Sequence, residues 1–435
     1  MRLQLFTKLA ILVGLTFGFG ISLVMIYGVI SERKGYRNRV VTEVAQSAAG
    51  AQTIRGPALV IRYVERVDGA PDAAGRPTTR WVRDQVVLQP ESLEVRARAN
   101  VTPRARGIYE AQVFQSHQDL SGSFVVPPHF GLAETHHVVA IESASLVLGV
   151  SDARGLKGEP RLEWDGAAAG FEPGSGVSWL SQGISAPVPA SDLERPATLT
   201  FNLAFELQGT ERLAFVPFGA RSRVHVESDW PHPSFDGSAL PDERSVAAQG
   251  FSAAWRMSEF TTGVRGPEQA ASAADFGVRF IQPVDVYTQS ERAVKYGLLF
   301  VVLTFVAFLL FEALKGLAIH PMQYGLAGAA VALFFLLLIS LSEHLPFVVA
   351  YVVASAACVG LLAYYASFVL HSIRRGAGFG LLLAALYGLL YFLLRAEDYA
   401  LLLGSVLLFG FLAAIMVLTR RLDWARVGMP APPAP

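Results

Sequence analysis

Leu9-Ala-Ile-Leu-Val-Gly-Leu-Thr-Phe-Gly-Phe-Gly-Ile-Ser-Leu-Val-Met-Ile-Tyr-Gly-Val-Ile30 is a run of 22 residues without a charge. A helix needs about 20 apolar residues to cross the hydrocarbon core of a bilayer, whereas a signal-peptide core has roughly 7–15. Ser31-Glu32-Arg33 follows directly and offers no small-x-small cleavage pattern; the nearest candidate, Ala45-Gln46-Ser47, lies too far downstream. The run therefore reads as an uncleaved membrane anchor. Five more such runs crowd the other end of the chain: Tyr296–Leu314, Met322–Leu341, Phe347–Leu370, Phe379–Leu394 and Tyr399–Thr419. Between the first and second lies a polar segment of about 265 residues (31–295).

This distribution predicts an α+β membrane protein. Its expected parts are an N-terminal transmembrane helix (1–30), a large β-rich extracytoplasmic domain (31–295), a bundle of five transmembrane helices (296–419) and a Pro-rich tail (420–435) ending Pro430-Ala-Pro-Pro-Ala-Pro. The composition agrees, with 52% hydrophobic and 17% charged residues, an apolar balance shifted from that of soluble proteins. The 36 basic and 36 acidic residues cancel, so no electrostatic footprint for nucleic acid exists. Cys358 is the single cysteine and lies in an apolar run, which excludes a disulfide framework in the middle segment.

Orientation follows from positive residues in short connections. Lys315, the pair Arg374 and Arg375, and the group Arg420, Arg421 and Arg426 fall in alternate connections, while Glu343 and the group Arg395, Glu397 and Asp398 occupy the others. That alternation places the C-terminus in the cytoplasm, and six crossings place the N-terminus there too. The large segment then faces outward. Arg33, Lys34, Arg37 and Arg39, directly after the first run, pull the other way.

Beyond the anchor, Tyr36 to Gln52 keeps helical spacing, and Gly56-Pro57 is expected to end it. The period then changes. Ala58–Val64, Gln85–Leu88, Leu93–Ala97, Tyr109–Phe114, Ser145–Val150, Thr198–Phe205 and Arg223–Glu227 read as short strands, being rich in β-branched and aromatic residues and mostly bounded by turn formers. Many short strands without intervening helices predict an antiparallel sandwich or extended sheet. Gly69–Thr79 reads as an exposed hairpin tip, and Gly263–Ala274 as a mobile loop before a final strand at Phe276–Pro283.

No catalytic signature stands out. His117, His129, His136, His137, His225 and His232 lack cysteine partners or an HExxH arrangement, and the adjacent pair His136-His137 would point to opposite faces of a strand. No metal or cofactor is expected. Trp230-Pro-His-Pro-Ser-Phe is more unusual, since its prolines stiffen the backbone. It reads first as a rigid corner tucking Trp230 and Phe235 into the core, and second as a recognition surface for a peptide or glycan that includes His232. Intramembrane charges would mark a transport path. The nearest candidates sit at span ends: Glu312, paired with Lys315; His320, Gln323 and Tyr324 opening the next span; and Glu343 and His344 closing it. Capping is the common use of such residues, and ligand or partner binding the sharper one.

An ordered set of segments carries a resemblance: Gly56-Pro-Ala-Leu-Val-Ile, Gly107-Ile-Tyr, Ser151-Asp-Ala-Arg-Gly, Asn202-Leu, Trp230-Pro-His-Pro-Ser-Phe, Arg292-Ala-Val-Lys-Tyr, His320-Pro-Met-Gln-Tyr, Leu341-Ser-Glu-His and Leu401-Leu-Leu-Gly. The chain resembles the CreD-type inner-membrane proteins of Gram-negative bacteria over nearly its whole length. The resemblance implies a multi-pass inner-membrane protein linked to envelope integrity and stress, with the large domain in the periplasm. It supplies no reaction. The expectation is a non-enzymatic protein whose partners are the bilayer and envelope proteins or peptidoglycan. A transporter or lipid-handling role for the helix bundle is the alternative.

Overall fold

A computed structural model of the chain describes residues 2–69, 78–132, 136–193, 195–264, 266–282, 285–315, 319–395 and 400–420. The chain divides into two units, Met1–Arg37 with Val284–Pro435, and Asn38–Pro283. The first helix, α1 (Arg2–Ala48), spans that division. The apolar anchor and the stripe after it join in one helix because no proline interrupts them. It does not run on to Gly56-Pro57 as expected. The two residues just past its end are held within the second unit: Thr210 of the strand Ala197–Thr210 donates to the Ala49 carbonyl (2.7 Å), and Gly50 N–H donates to Asp152 (2.9 Å), in the connection after Val150. Gly56-Pro57 instead lies inside the first strand, at a register shift between Arg55 and Ala58, where a residue without an N–H is tolerated.

The second unit holds β1 (Gln52–Gly69), β2 (Thr78–Leu88), β3 (Ser92–Arg106), β4 (Tyr109–Val126), β5 (His137–Val150), β6 (Leu156–Trp164), β7 (Ala167–Gly170), β8 (Glu172–Pro173), β9 (Gly183–Val188), β10 (Ala197–Thr210), β11 (Arg212–Pro217), β12 (Arg221–Ser228), β13 (Pro233–Gly237), β14 (Glu243–Ala247), β15 (Gly250–Ser258) and β16 (Phe276–Phe280), with short helices α2 (Glu259–Thr262) and α3 (Pro267–Ser272). All seven expected strands lie within these. One sheet runs β13-β16-β11-β1-β5-β9-β8, with β2 also on β1; the other runs β14-β15-β12-β3-β4-β10-β6-β7. Most pairs are antiparallel, but β1·β11 and β12·β3 are parallel, which the alternation of single strands does not reveal. The tip between Gly69 and Thr78 lies outside the described residues.

Alternation places Leu59 and Ile61 of β1, Leu146 and Leu148 of β5 and Phe215 of β11 in one core with Val95 of β3, Phe124 of β4, Phe201 of β10 and Trp255 of β15. Both sheets thus contribute their inner faces, as a sandwich requires, and each such side chain contributes roughly 1.5–3 kcal/mol by leaving water. The outer face of the first sheet has a smaller core of Ala58, Val60, Val147, Leu180, Phe218, Val264 and Ala270. Its last two members belong to the segment expected as a mobile loop. That segment instead contains α3 and buries side chains against the sheet.

The first unit contains the start of α1 together with α4 (Val286–Lys295), α5 (Gly297–Lys315), α6 (Pro321–Ser342), α7 (Phe347–Val369), α8 (Ile373–Arg395) and α9 (Ala400–Thr419). Among the described residues, α1 from Thr7, α6, α7 and α8 are each long and apolar enough to cross a bilayer, and the α4–α5 pair, bent by 43°, is a further candidate. α4 groups with this unit although its sequence falls within the segment expected to belong to the β-rich domain. Its buried face (Tyr287, Ser290, Ala293, Val294) explains why. α7 and α8 approach closely because a Cβ on Gly376 would stand 2.6 Å from Ser367, and one on Gly380 2.6 Å from Ala363.

Candidate functional site

Two groups of polar residues in the helical unit pack against α1, at two levels along it. Near its start, Lys8 donates from Nζ to Glu312 of α5 and to the Ile319 carbonyl (2.7 Å). Tyr324 of α6 donates its hydroxyl to the other Glu312 oxygen at 2.8 Å, and Lys8 Nζ lies 5.4 Å from the centre of the Tyr324 ring. His320 and Gln323 cap α6 reciprocally. His320 Nδ1 accepts from Met322 N–H (3.2 Å), and Gln323 Oε1 accepts from His320 N–H (3.1 Å). Four of the residues singled out in the sequence therefore meet at one place. Lys8 is a partner of Glu312 that the sequence did not suggest, and the side chain of Lys315, the expected partner, lies outside the described residues. An acid placed three residues before a base suggests a local pair, but a partner on another helix is invisible to spacing.

At the other level, Arg33 lies 3.6 Å from Glu343, Lys34 3.0 Å from Glu291, and Arg37 3.4 Å from Asp285. Tyr287 also donates to Glu343, at 3.3 Å. His344 is exposed in the turn that ends α6. The two clusters stand 25 residues apart on α1, about 38 Å at a rise of 1.5 Å per residue. Between them α1 runs parallel to α6. A Cβ on Gly328 would stand 2.3 Å from the Phe19 ring, and one on Gly297 2.7 Å from Leu23, so small residues create the room for those side chains. Lys8, Glu291, Asp285 and Tyr287 were not legible as site residues. The one available signal was that Lys8 and Glu312 carry opposite charges at span ends expected on the same side of the bilayer.

The bundle interior also holds uncharged polar groups. Tyr351 donates to the Tyr387 carbonyl (2.6 Å), and the Tyr387 hydroxyl meets Cys358 Sγ at 3.3 Å. The paired clusters suit a clamp. Each charge already has its counter-charge, and hydrogen bonds occupy both oxygens of Glu312.

In the β unit, Trp230 donates from Nε1 to the Ile281 carbonyl (2.9 Å), and His232 sets its ring edge-on against Trp230. Phe235 packs edge-on against Phe251 and Trp255. The stiff segment thus turns a corner with both flanking aromatics against the core. Nearby, Arg212 holds Asp275 bidentately (2.9 Å to each oxygen) and Asp236 at 2.9 Å. The hydrogen bond from Arg212 is the main reason that the Asp275 carboxyl sits below its usual range. Asp152 is held at about 2, chiefly by the Arg154 side chain.

The sequence pattern of the family described as Inner membrane protein CreD matches residues 4–425. The Inner membrane protein CreD of Escherichia coli is 35% identical over 443 residues, spanning 99% of this chain and 96% of that protein. The chain belongs to the CreD family of inner-membrane proteins. Two solved structures show slight likenesses. The M1 zinc metallopeptidase of Deinococcus radiodurans is 10% identical with a TM-score of 0.22, over 44% of this chain and 42% of that one. Leukotriene A4 hydrolase of Saccharomyces cerevisiae is 10% identical with a TM-score of 0.16, over 43% and 29%. The chain thus spans less than half the length of either, and likenesses this slight carry nothing about activity. For this CreD-family chain, among the described residues, no group of three His, Cys, Asp or Glu side chains is arranged to hold a metal ion.

Proposed function

We propose that this protein crosses the inner membrane six times, keeps both termini in the cytoplasm, and acts without catalysis to support envelope integrity through a β unit in the periplasm. The observation that carries the orientation is the pairing of Arg33, Lys34 and Arg37 with Glu343, Glu291 and Asp285. These bases are three of the four, with Arg39, that argue for the opposite threading. Neutralised by acids of the same unit, they weigh less against the connections at Arg374–Arg375 and beyond Thr419. A binding role is supported by how the β unit uses its polar side chains, which pair with one another across strands, as Arg212 does with Asp236 and Asp275.

The test is thiol labelling in intact cells with a membrane-impermeant maleimide. Ile108→Cys, in the exposed turn after β3, should be labelled without breaking the cells, while Pro430→Cys should require permeabilisation. The wild type, whose single thiol Cys358 is buried, sets the background. Labelling of Ile108→Cys only in opened cells would overturn the orientation and the envelope-facing role with it.

A second reading, transport or lipid handling by the bundle, draws on the charged cluster of Lys8, Glu312 and Tyr324 between helices. Proton or lipid flux in reconstituted vesicles that disappears in Glu312→Gln would favour it; unchanged flux would leave the cluster as a clamp.

A further inference from the structure

The geometry points to β2 as a self-pairing edge: we propose that two copies of this chain join β2 to β2, antiparallel and centred on Val82. β2 has 11 residues, Thr-Thr-Arg-Trp-Val-Arg-Asp-Gln-Val-Val-Leu, and among the described strands it pairs only with β1, along Leu59–Gly69. Its other side carries the backbone groups that β1 does not take up; the Asp84 side chain accepts from the Gln85 N–H at 2.8 Å, leaving its other oxygen for Arg80 of a second copy. Natural sheets usually blunt such an edge with proline, lysine or a bulge. β2 has no proline and no lysine, its register with β1 shows no shift, and Trp81 stands 60% exposed beside exposed Arg80, Arg83 and Asp84.

The order of those four residues specifies the occupant. In an antiparallel pair centred on Val82, Val82 faces its own copy, Trp81 faces Arg83, Arg80 faces Asp84 and Thr79 faces Gln85. Two-fold symmetry makes each contact twice. One face of the joint then carries two Arg80–Asp84 ion pairs, and the other carries two Arg83–Trp81 cation–π contacts. Arg83 is drawn inward across β1 to Glu142 of β5, 2.7 Å from its Nε, so its contact with the partner's Trp81 needs the guanidinium to turn outward, and the two Arg80–Asp84 pairs carry the choice of register. Shifting the centre to Arg83 sets arginine against arginine and leaves Asp84 facing Val82. Shifting it to Trp81 leaves Arg80 facing Val82. Charge complementarity therefore selects one register, and the partner that supplies it is a second copy. Anchoring of both copies in one membrane raises their effective concentration, so a short interface suffices.

The experiment uses the full-length protein in membranes, treated with a mild thiol oxidant. Directly opposed residues bring their Cα atoms about 4.5–5.5 Å apart, within disulfide range. Val82→Cys should give a cross-linked dimer, and Thr79→Cys, displaced from its own copy by six strand positions, should not. Adding Arg80→Asp or Asp84→Arg alone should lower the Val82→Cys cross-link about tenfold, and the two together should restore it. Absence of the Val82→Cys dimer, cross-linking of Thr79→Cys at an equal rate, or failure of the double charge swap to restore the dimer would each overturn the proposal. Arg80 and Asp84 are exposed, and recovery of the cross-link in the double charge swap separates loss of pairing from loss of folding.

Discussion

The two units solve opposite solvent problems with the same side chains. In the β unit, Leu59, Phe124, Phe201 and Trp255 are buried while Arg96, Arg98, Arg223 and Glu206 face outward. In the helical unit the exposed residues are Phe17, Val24, Leu333, Val352, Tyr364 and Leu381, while Lys8 and Glu312 are withdrawn to side-chain exposures of 17% and 18%. Water rewards burial of apolar surface. Hydrocarbon gives no such reward between helices, so small residues and paired polar groups hold them together instead. An ion pair should therefore matter in the helical unit and hardly at all on the β surface.

That comparison can be broken most readily at Glu312. Glu312→Ala leaves Lys8 without its counter-charge and Tyr324 without an acceptor, and should cost on the order of 3 kcal/mol, read as a fall in unfolding temperature in detergent. Lys8→Met added to it should recover part of the loss, and failure to recover would remove the paired-charge explanation. Next in size is Gly376→Val. A side chain there meets Ser367, and the strain of separating α7 from α8 should cost about 1–3 kcal/mol. An unchanged unfolding temperature would show that close helix approach is not what holds this unit.

The smallest effect belongs to the β surface. His117 bridges Glu206 (2.7 Å) and Asp119 (3.2 Å), and the Glu206 hydrogen bond is the main cause raising its pKa above the ordinary value. Because the folded value is raised, its contribution is fully present below the unfolded pKa of about 6.5 and is lost as pH rises through the folded value. His117→Gln should therefore destabilise more at pH 5.5 than at pH 8.5. Solvent screening keeps the difference under about 0.5 kcal/mol. A difference as large as that at Glu312 would erase the contrast between the units.

Legibility follows the same division. Strands with strict alternation, such as β3 around Leu93–Arg98 and β10 around Leu199–Leu207, announce themselves because one face is buried and the other wet. β11 did not, since Leu213-Ala-Phe-Val is apolar throughout and its N-terminal Arg212 looks like loop. The short β13 and β14 carry turn formers and charges that belong to edges. At the candidate site, His320 and Gln323 were legible as a cap, because that geometry is local. The roles of Lys8 and of the three bases after the anchor were not, because their partners are some 250 to 310 residues away.

By itself the sequence determined that the chain carries an apolar N-terminal helix, a β-rich middle and an apolar helical C-terminal region. Hydrophobic run length and period are local properties, imposed by bilayer thickness and by strand geometry. Only the tertiary structure decided that Glu312 belongs to Lys8, that Arg33, Lys34 and Arg37 are neutralised by Glu343, Glu291 and Asp285, and that two strand pairs run parallel. A charge attracts whatever the fold brings within a few ångströms, and no spacing along the chain records that distance.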